Sequence, residues 1–209
     1  MKAKWKTALV TIAVASAMGV GAYFGYGWWR TNFVPLVGLE RIQQTLDEGD
    51  KEQAIRYANK RLSVDPNEIP SLYLLAAALV QNREFEEALE KLNQAERLIG
   101  LSQAPEEKKQ PVLAQVWALQ AEIYREYLKD YKKAAVVLEK QVAAEPEDWE
   151  THYELGTTYA YLGLSQSAFK EFQLIAEKNP GTELAKEAEN AIQYVRERRN
   201  PGKSRYLIA

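Results

Sequence analysis

The side chains that could carry acid–base or metal chemistry are few in this sequence. There is one histidine, His152, and no cysteine, which excludes disulfides, thiolate catalysis and cysteine-ligated zinc. Because His152 has no second histidine or cysteine to act with, we expect it to be a structural residue. Acidic pairs such as Glu86–Glu87 and Glu106–Glu107 stand close to lysines. They are interpreted as solvated helix faces with ion pairs, not as a general acid and base.

Sequence motifs for catalysis are also missing. The chain has no phosphate loop, no paired-histidine zinc motif and no nucleophile elbow. The closely spaced glycines Gly19, Gly21, Gly25 and Gly27 lie in an apolar run without the preceding strand that a nucleotide loop needs. We therefore expect no catalytic residue, no cofactor and no metal, and an enzyme is the most remote of the functions considered.

The strongest pattern in the chain runs from Asp148 to Pro180 and predicts two antiparallel helices. Its landmarks are Leu155, Gly156, Tyr159, Ala168, Phe172 and Pro180. Small residues fit where two helices approach closely, and the large ones fill the space between them. Gly163 stands where the first helix must end, at a position that favours a left-handed backbone. Pro180 ends the second helix because it has no amide proton.

This ladder resembles the tetratricopeptide repeat, a helix-turn-helix unit of about 34 residues. Weaker copies precede it, so four repeats are predicted over residues 36–67, 69–100, 113–146 and 148–181. Thr182 is expected to cap a last helix, residues 182–199, that covers the open end of the stack. The resemblance implies an all-α, right-handed solenoid of about four hairpins plus this capping helix. The uncharged run 7–29 described below adds one amino-terminal transmembrane helix to this fold.

Two irregularities interrupt the repeats. Residues 100–111, with Pro105 and Pro111, are predicted to form a longer surface loop, either a tolerated insertion or a point of flexing or contact. The turn between Tyr127 and Tyr131 is one residue longer than the pattern.

The resemblance also implies a binding groove, because the first helices of such hairpins line the concave side of the stack. The matching positions are Tyr73, Ala77, Val80, Gln81, Ala118, Glu122, Arg125, Glu126, Tyr153, Thr157, Ala160 and Tyr161. Each tyrosine could either face a partner or pack between hairpins. The lysine and asparagine with which some family members clamp a terminal carboxylate of cytosolic chaperones are missing. A partner helix or an extended apolar segment fits this groove better.

Residues 7–29 carry no charge and as a helix would span about 34 Å, enough to cross a hydrocarbon core of about 30 Å. A cleavable signal peptide is the alternative, with Ala15–Ala17 as its cleavage site. Lys2, Lys4 and Lys6 precede the run and Arg30 follows it. The positive-inside tendency then predicts an inner-membrane, single-pass protein with a cytoplasmic amino terminus and a periplasmic repeat domain.

One face of that predicted membrane helix is made of small residues, Ala13, Ala17, Gly21 and Gly25. Such a stripe lets another helix approach closely, so it is a candidate docking surface inside the membrane. The plainer interpretation is that glycine and alanine are common in membrane helices.

Charge narrows the choice of partner. The net charge is −2 for the chain, but four basic residues and no acidic one lie before residue 31, so residues 31–209 carry −6. Such a body is a poor candidate for nucleic acid binding. Arg196, Arg198, Arg199, Lys203 and Arg205 make the carboxyl end basic. They either complement a helix dipole or contact an acidic partner or lipid headgroups.

The predicted organisation is an anchor (1–30), a connector (31–35), a repeat domain (36–199) and a basic tail (200–209). It points to a membrane-anchored interaction module that scaffolds or assists assembly of an extracytoplasmic or membrane protein complex. The alternative is a permanent accessory subunit of a large energy-converting or secretion complex. The layout is similar to bacterial inner-membrane proteins that attend the secretion translocon. No small-molecule substrate is expected.

Overall fold

The computed structural model describes residues 35–199, which form nine α-helices and no strand. The helices are α1 (Leu39–Asp47), α2 (Lys51–Leu62), α3 (Ile69–Gln81), α4 (Phe85–Leu101), α5 (Glu106–Glu122), α6 (Tyr131–Ala144), α7 (Trp149–Tyr161), α8 (Ser165–Lys178) and α9 (Glu183–Arg199). A π-helical segment, Ile123–Tyr127, continues α5. The predicted all-helical fold is confirmed.

The helices pack in sequential pairs, so that α1 with α2, α3 with α4, α5 with α6 and α7 with α8 form four hairpins. Each hairpin also packs on the next one along the chain, and α9 packs on α8 and α7. One hydrophobic core runs from Ile42 in α1 to Leu155 in α7, and a second around Phe172 joins the last hairpin to α9. The stack therefore has a continuous interior from α1 to α9.

The close approach predicted inside the last hairpin is confirmed. A β-carbon built on Gly156 would lie 2.7 Å from a ring carbon of Phe172, which is closer than packed atoms can come. Ala168, on the facing helix, is fully buried. Glycine and alanine stand where two backbones need the room.

A left-handed residue ends the first helix of every hairpin. Gly49 and Gly163 have φ angles of +80° and +76°, and Arg83 and Lys129 occupy the same place with +65° and +54°. The prediction for Gly163 is confirmed. Residues with a β-carbon tolerate this conformation less well, so the second and third turns store some strain.

The loop prediction for residues 100–111 is wrong. Helix α4 continues to Leu101 and α5 already begins at Glu106, with Pro111 inside it. The amides of Lys108 and Lys109 donate to the Pro105 carbonyl and start the helix before Pro111 is reached. A proline so near a helix start removes one hydrogen bond without ending the helix.

The extra residue of the third hairpin lies largely in the helix and not in the turn. The amide of Asp130 donates to the carbonyl of Tyr124, six residues back. In the neighbouring hairpins the equivalent bonds, from Glu84 and Leu164, reach back five residues. The π-helical segment Ile123–Tyr127 absorbs the added residue.

Helix α9 covers the end of the stack as predicted. The amide of Ala185 donates to Oγ1 of Thr182 at 3.1 Å, which is the expected cap. Ala188 and Val195 are buried against the last hairpin. The opposite side of α9 is mostly polar and exposed, which suits the last layer of a repeat stack.

The predicted membrane helix with its small-residue stripe, and the tail 200–209, lie outside the described residues. Across residues 35–199, no helix combines the length and apolar character needed to cross a bilayer.

Candidate partner-binding trough

Three depressions follow one another along the first helices of the hairpins. The first, about 580 Å³, lies between α1, α3 and α5. The second, about 540 Å³, lies between α3, α5 with its π-helical segment, and α7. The third, about 380 Å³, lies between α7, α8 and α9. Tyr73 and Gln115 line both the first and the second. Helix α7 lines the second through Glu154 and the third through Tyr153, and the three depressions together are called the trough.

The third depression contains all four residues predicted for the last repeat, Tyr153, Thr157, Ala160 and Tyr161. Its other wall is α9, which the sequence analysis treated only as a cap. The contributing residues there are Glu187, Asn190, Ala191, Tyr194 and Val195. Continuing the repeat spacing past Pro180 would have placed α9 in the position of a first helix and indicated this wall.

Of the three tyrosines that line this depression, the two on α7 differ in how they are held. Tyr161 is 66% exposed, and its ring stacks on Tyr131 of α6 at 4.7 Å between centroids. Tyr153 is half-buried, with its ring 5.5 Å from that of Phe172. Tyr161 thus presents an open aromatic surface, whereas Tyr153 is partly a packing residue.

Of the groove residues predicted in the second and third repeats, five line the trough and three do not. Tyr73, Ala118, Glu122, Arg125 and Glu126 line the second depression. The remaining three do not line the trough: Val80 is buried in the core, Ala77 packs against it, and Gln81 is exposed at the end of α3.

Carboxylates determine the electrostatics of the trough. Arg125 makes ion pairs with Glu126 at 2.9 Å and Glu154 at 3.0 Å. Burial raises the pKa of Tyr73, and the charge of Glu122 adds to the effect. Burial likewise raises the pKa of Tyr153, assisted by Glu187. Tyr73 and Tyr153 are thus partly buried phenols, each with a carboxylate nearby.

His152 is buried away from the trough and serves the packing of the last hairpin. Its Nδ1 lies 2.7 Å from a carboxylate oxygen of Glu171, and its Nε2 lies 3.2 Å from the Pro146 carbonyl. The ring stacks on Trp149 at 5.5 Å. These contacts join α7 to α8 and to the preceding loop, as expected of a structural histidine.

The sequence analysis missed a polar cluster on the other side of the stack. Glu96 accepts hydrogen bonds from Trp117 Nε1 at 2.9 Å, Lys140 Nζ at 2.8 Å and Gln120 Nε2 at 3.4 Å. Burial by itself would raise the pKa of Glu96, but the bonds from Lys140 and Trp117 outweigh it and hold the pKa below its usual value. No sequence signal could have shown this, because the members come from three helices.

Among residues 35–199, no group of three or more histidine, aspartate or glutamate side chains could hold a metal ion.

No protein-family model matches the chain, and no curated protein matches it in sequence. Solved structures do match. A tetratricopeptide repeat protein from Parabacteroides merdae superposes with a TM-score of 0.63 at 21% identity, over 77% of this chain and 59% of that one. YrrB, described as a TPR protein with an unusual peptide-binding site, gives 0.62 at 16% identity, over 85% and 84%. The chain has the tetratricopeptide-repeat fold.

A third similar structure is the Cut9–Hcn1 hetero-tetramer of the APC/C, with a TM-score of 0.59 at 18% identity. The alignment covers 75% of this chain but only 29% of that one, so the likeness is to a part of a longer chain. In a tetratricopeptide-repeat fold the stacked units create an extended concave surface. The trough, lined almost entirely by first helices, lies where that surface is expected.

Proposed function

We propose that this chain is a membrane-anchored protein–protein interaction module that scaffolds or assists assembly of an extracytoplasmic or membrane protein complex. The observation that carries the proposal is the trough, an open surface with an exposed aromatic ring and apolar walls along one side of a rigid stack. Surfaces of this kind bind helical or extended segments of other proteins. The peptide-binding site named for YrrB is consistent with such a use.

The membrane part of the proposal is supported by the sequence of residues 7–29. An uncharged run of this length, preceded by three lysines, fits an uncleaved inner-membrane anchor with the repeat domain on the periplasmic side. The anchor would hold the trough close to partners at the membrane surface. A cleaved signal peptide would release the same domain instead.

Purification of the full chain through a tag at Ala209, in mild detergent, tests both parts. Mass spectrometry of the retained proteins and of the chain's own amino terminus gives the readout. Substoichiometric folding or secretory factors, with Met1 or Lys2 intact, would support the assembly role. A chain beginning near Met18 would overturn the anchor, and retention of no partner protein would contradict the interaction role.

A second candidate is a permanent accessory subunit of a large membrane complex, favoured by the stripe Ala13, Ala17, Gly21 and Gly25. Fixed stoichiometry with membrane subunits would identify it. If the stripe docks against another helix, replacing Gly21 and Gly25 with leucine should weaken retention, because the larger side chains hold the helices apart. Unchanged co-purification would exclude docking through the stripe.

A further inference from the structure

The charges of the trough are unevenly distributed. Its lining includes six carboxylates and, as its only cation among the described residues, Arg125. The carboxylates are Glu40, Asp47, Glu122, Glu126, Glu154 and Glu187. They are present in all three depressions, so the negative charge extends along the whole trough.

The one cation is already neutralised within the trough. Arg125 lies between Glu126 and Glu154 at ion-pair distance from both. Lys129 also contacts Glu126, at 3.5 Å from outside the trough. Glu40, Glu122 and Glu187 form no ion pair with a cation of the described chain. A partner could therefore supply the missing positive charges.

The acidity of the trough does not simply reflect an acidic body. On the other side of the stack, a depression of about 310 Å³ between α4, α5 with its π-helical segment, and α6 is lined by Lys132, Lys133 and Lys140, with Glu96 as its carboxylate. This depression and the second one of the trough are thus lined by side chains of mainly opposite charge. Such a difference steers a partner of complementary charge to the matching site.

Between the carboxylates, the trough is apolar. Leu39, Ile69 and Val112 line the first depression, and Ala191 and Tyr161 line the third. A segment that carried only basic residues would leave these surfaces in contact with water. A segment in which basic and apolar side chains lie next to each other can pair with the carboxylates and also cover the apolar surfaces.

We propose that the trough binds a protein segment that carries several lysine or arginine side chains beside leucine, isoleucine or aromatic ones. This inference rests on the proposed function, since it names the chemistry of the partner. The carboxylates pair with the basic side chains, while the exposed ring of Tyr161 and the apolar walls cover the others. Burial is the main cause of the raised pKa values of Tyr73 and Tyr153, and the charges of Glu122 and Glu187 add to it.

A synthetic peptide array tests the inference with the full chain in a non-ionic detergent. The array holds matched sets of twelve-residue peptides that share their apolar residues and differ only in carrying lysine, glutamine or glutamate at the polar positions. The lysine members should bind at least about tenfold more tightly than the glutamate members. The preference should shrink as salt is raised, because salt screens exposed charges.

Charge-reversal variants assign the preference to the trough. Glu122→Lys with Glu187→Lys should abolish or invert it, since both carboxylates line the trough. Glu150→Lys with Glu189→Lys is the matched control, because these two residues are exposed on α7 and α9 outside the trough and change the net charge equally. The control pair should keep the preference for lysine peptides.

Peptide binding without a preference for basic members would overturn this inference and leave the proposed function standing. Binding of none of the peptides would count against both. If binding appears only in a chain that ends at Arg199, the chain's own basic tail fills the trough, and the inference of a separate partner is wrong. A preference that survives the Glu122→Lys and Glu187→Lys changes would place the basic segment elsewhere.

Discussion

Gly156 and Phe172 face each other, and the small size of one makes room for the ring of the other. Other hairpins also pair a small residue on the first helix with a large one on the second. There the small residue is alanine, Ala76 or Ala121, and its predicted counterpart on the second helix is leucine, Leu92 or Leu138. The last hairpin combines a larger ring with a residue that has no side chain. The two choices depend on each other.

The effect of Gly156→Ala on stability should therefore depend on which residue stands at position 172. Gly156→Ala should lower the free energy of unfolding by about 1 kcal/mol, because the clash with the Phe172 ring outweighs the better helix propensity of alanine. In a Phe172→Leu background the same change should be neutral or stabilising. Thermal or denaturant unfolding of the four proteins measures it. An equal loss in both backgrounds would contradict the packing described here.

Glu96 predicts how stability depends on pH. Its pKa is lower in the folded chain than its usual 4.5, so the folded state binds this proton less tightly than the unfolded state. The stabilisation is therefore complete above about pH 4.5 and is lost as the pH falls through the lower, folded value. Glu96→Gln should cost about 1 kcal/mol near neutral pH. The difference from wild type should shrink in acid, and a difference independent of pH would argue against a charged role.

The structural role of a single residue could be predicted where its position in the repeat allows only one role. The packing of Gly156, the turn at Gly163, the cap at Thr182 and the buried role of His152 all follow from their places in the pattern. Glu96 was not predictable, because its partners lie on α5 and α6 and only the packed stack brings them together. The burial of Val80 in the core, away from the trough, was also not predictable from the repeat pattern.

At the scale of elements, the helices could be predicted from apolar spacing and the turns from glycine, asparagine and aspartate. The error lay in residues 100–111, where two prolines were taken to exclude a helix. Helix α5 begins between them, because a proline at or near the first turn removes few hydrogen bonds. The third repeat has one residue more than the pattern, and the sequence does not show where this residue is accommodated. In the structure it lies in the π-helical segment.

Pro111 tests where α5 begins. Pro111→Ala should raise the free energy of unfolding by about 1 kcal/mol, because the new amide can donate to the carbonyl of Glu107 within the helix. Pro105→Ala is the control, since Pro105 lies just before the helix and should bring no gain. Thermal unfolding gives both values. A loss of stability on replacing Pro111 would be typical of a loop, where proline restricts the unfolded chain.

At the scale of the whole molecule, the described stack is a rigid frame that presents one acidic, aromatic trough on its first helices and lysines on another face. Through the family resemblance, the sequence indicated on which side of the stack the trough lies. It did not indicate that α9 completes the trough or that the carboxylates extend along it. Both features arise from the placement of successive hairpins.

The central claim is that a partner binds in this trough, and two tyrosines test it most directly. Tyr161 and Tyr127 end the first helices of successive hairpins, and each stacks on an aromatic ring at the start of a second helix, Tyr131 at 4.7 Å and Phe85 at 4.6 Å. Tyr161 is 66% exposed and lines the trough, whereas Tyr127 is 46% exposed and does not line it. The Tyr127 hydroxyl donates to Glu122 of the trough at 3.3 Å. Replacing either tyrosine with alanine removes one stacked ring.

The decisive measurement is the amount of partner protein retained by Tyr161→Ala and by Tyr127→Ala in parallel purifications, with the melting temperature of each variant. We predict that Tyr161→Ala reduces retention about tenfold or more, as expected for an aromatic residue central to an interface. Tyr127→Ala releases Glu122 from one hydrogen bond but keeps its charge, so it should retain far more partner than Tyr161→Ala does, at a similar melting temperature. Equal retention by both variants, or loss only with Tyr127→Ala, would contradict binding in the trough.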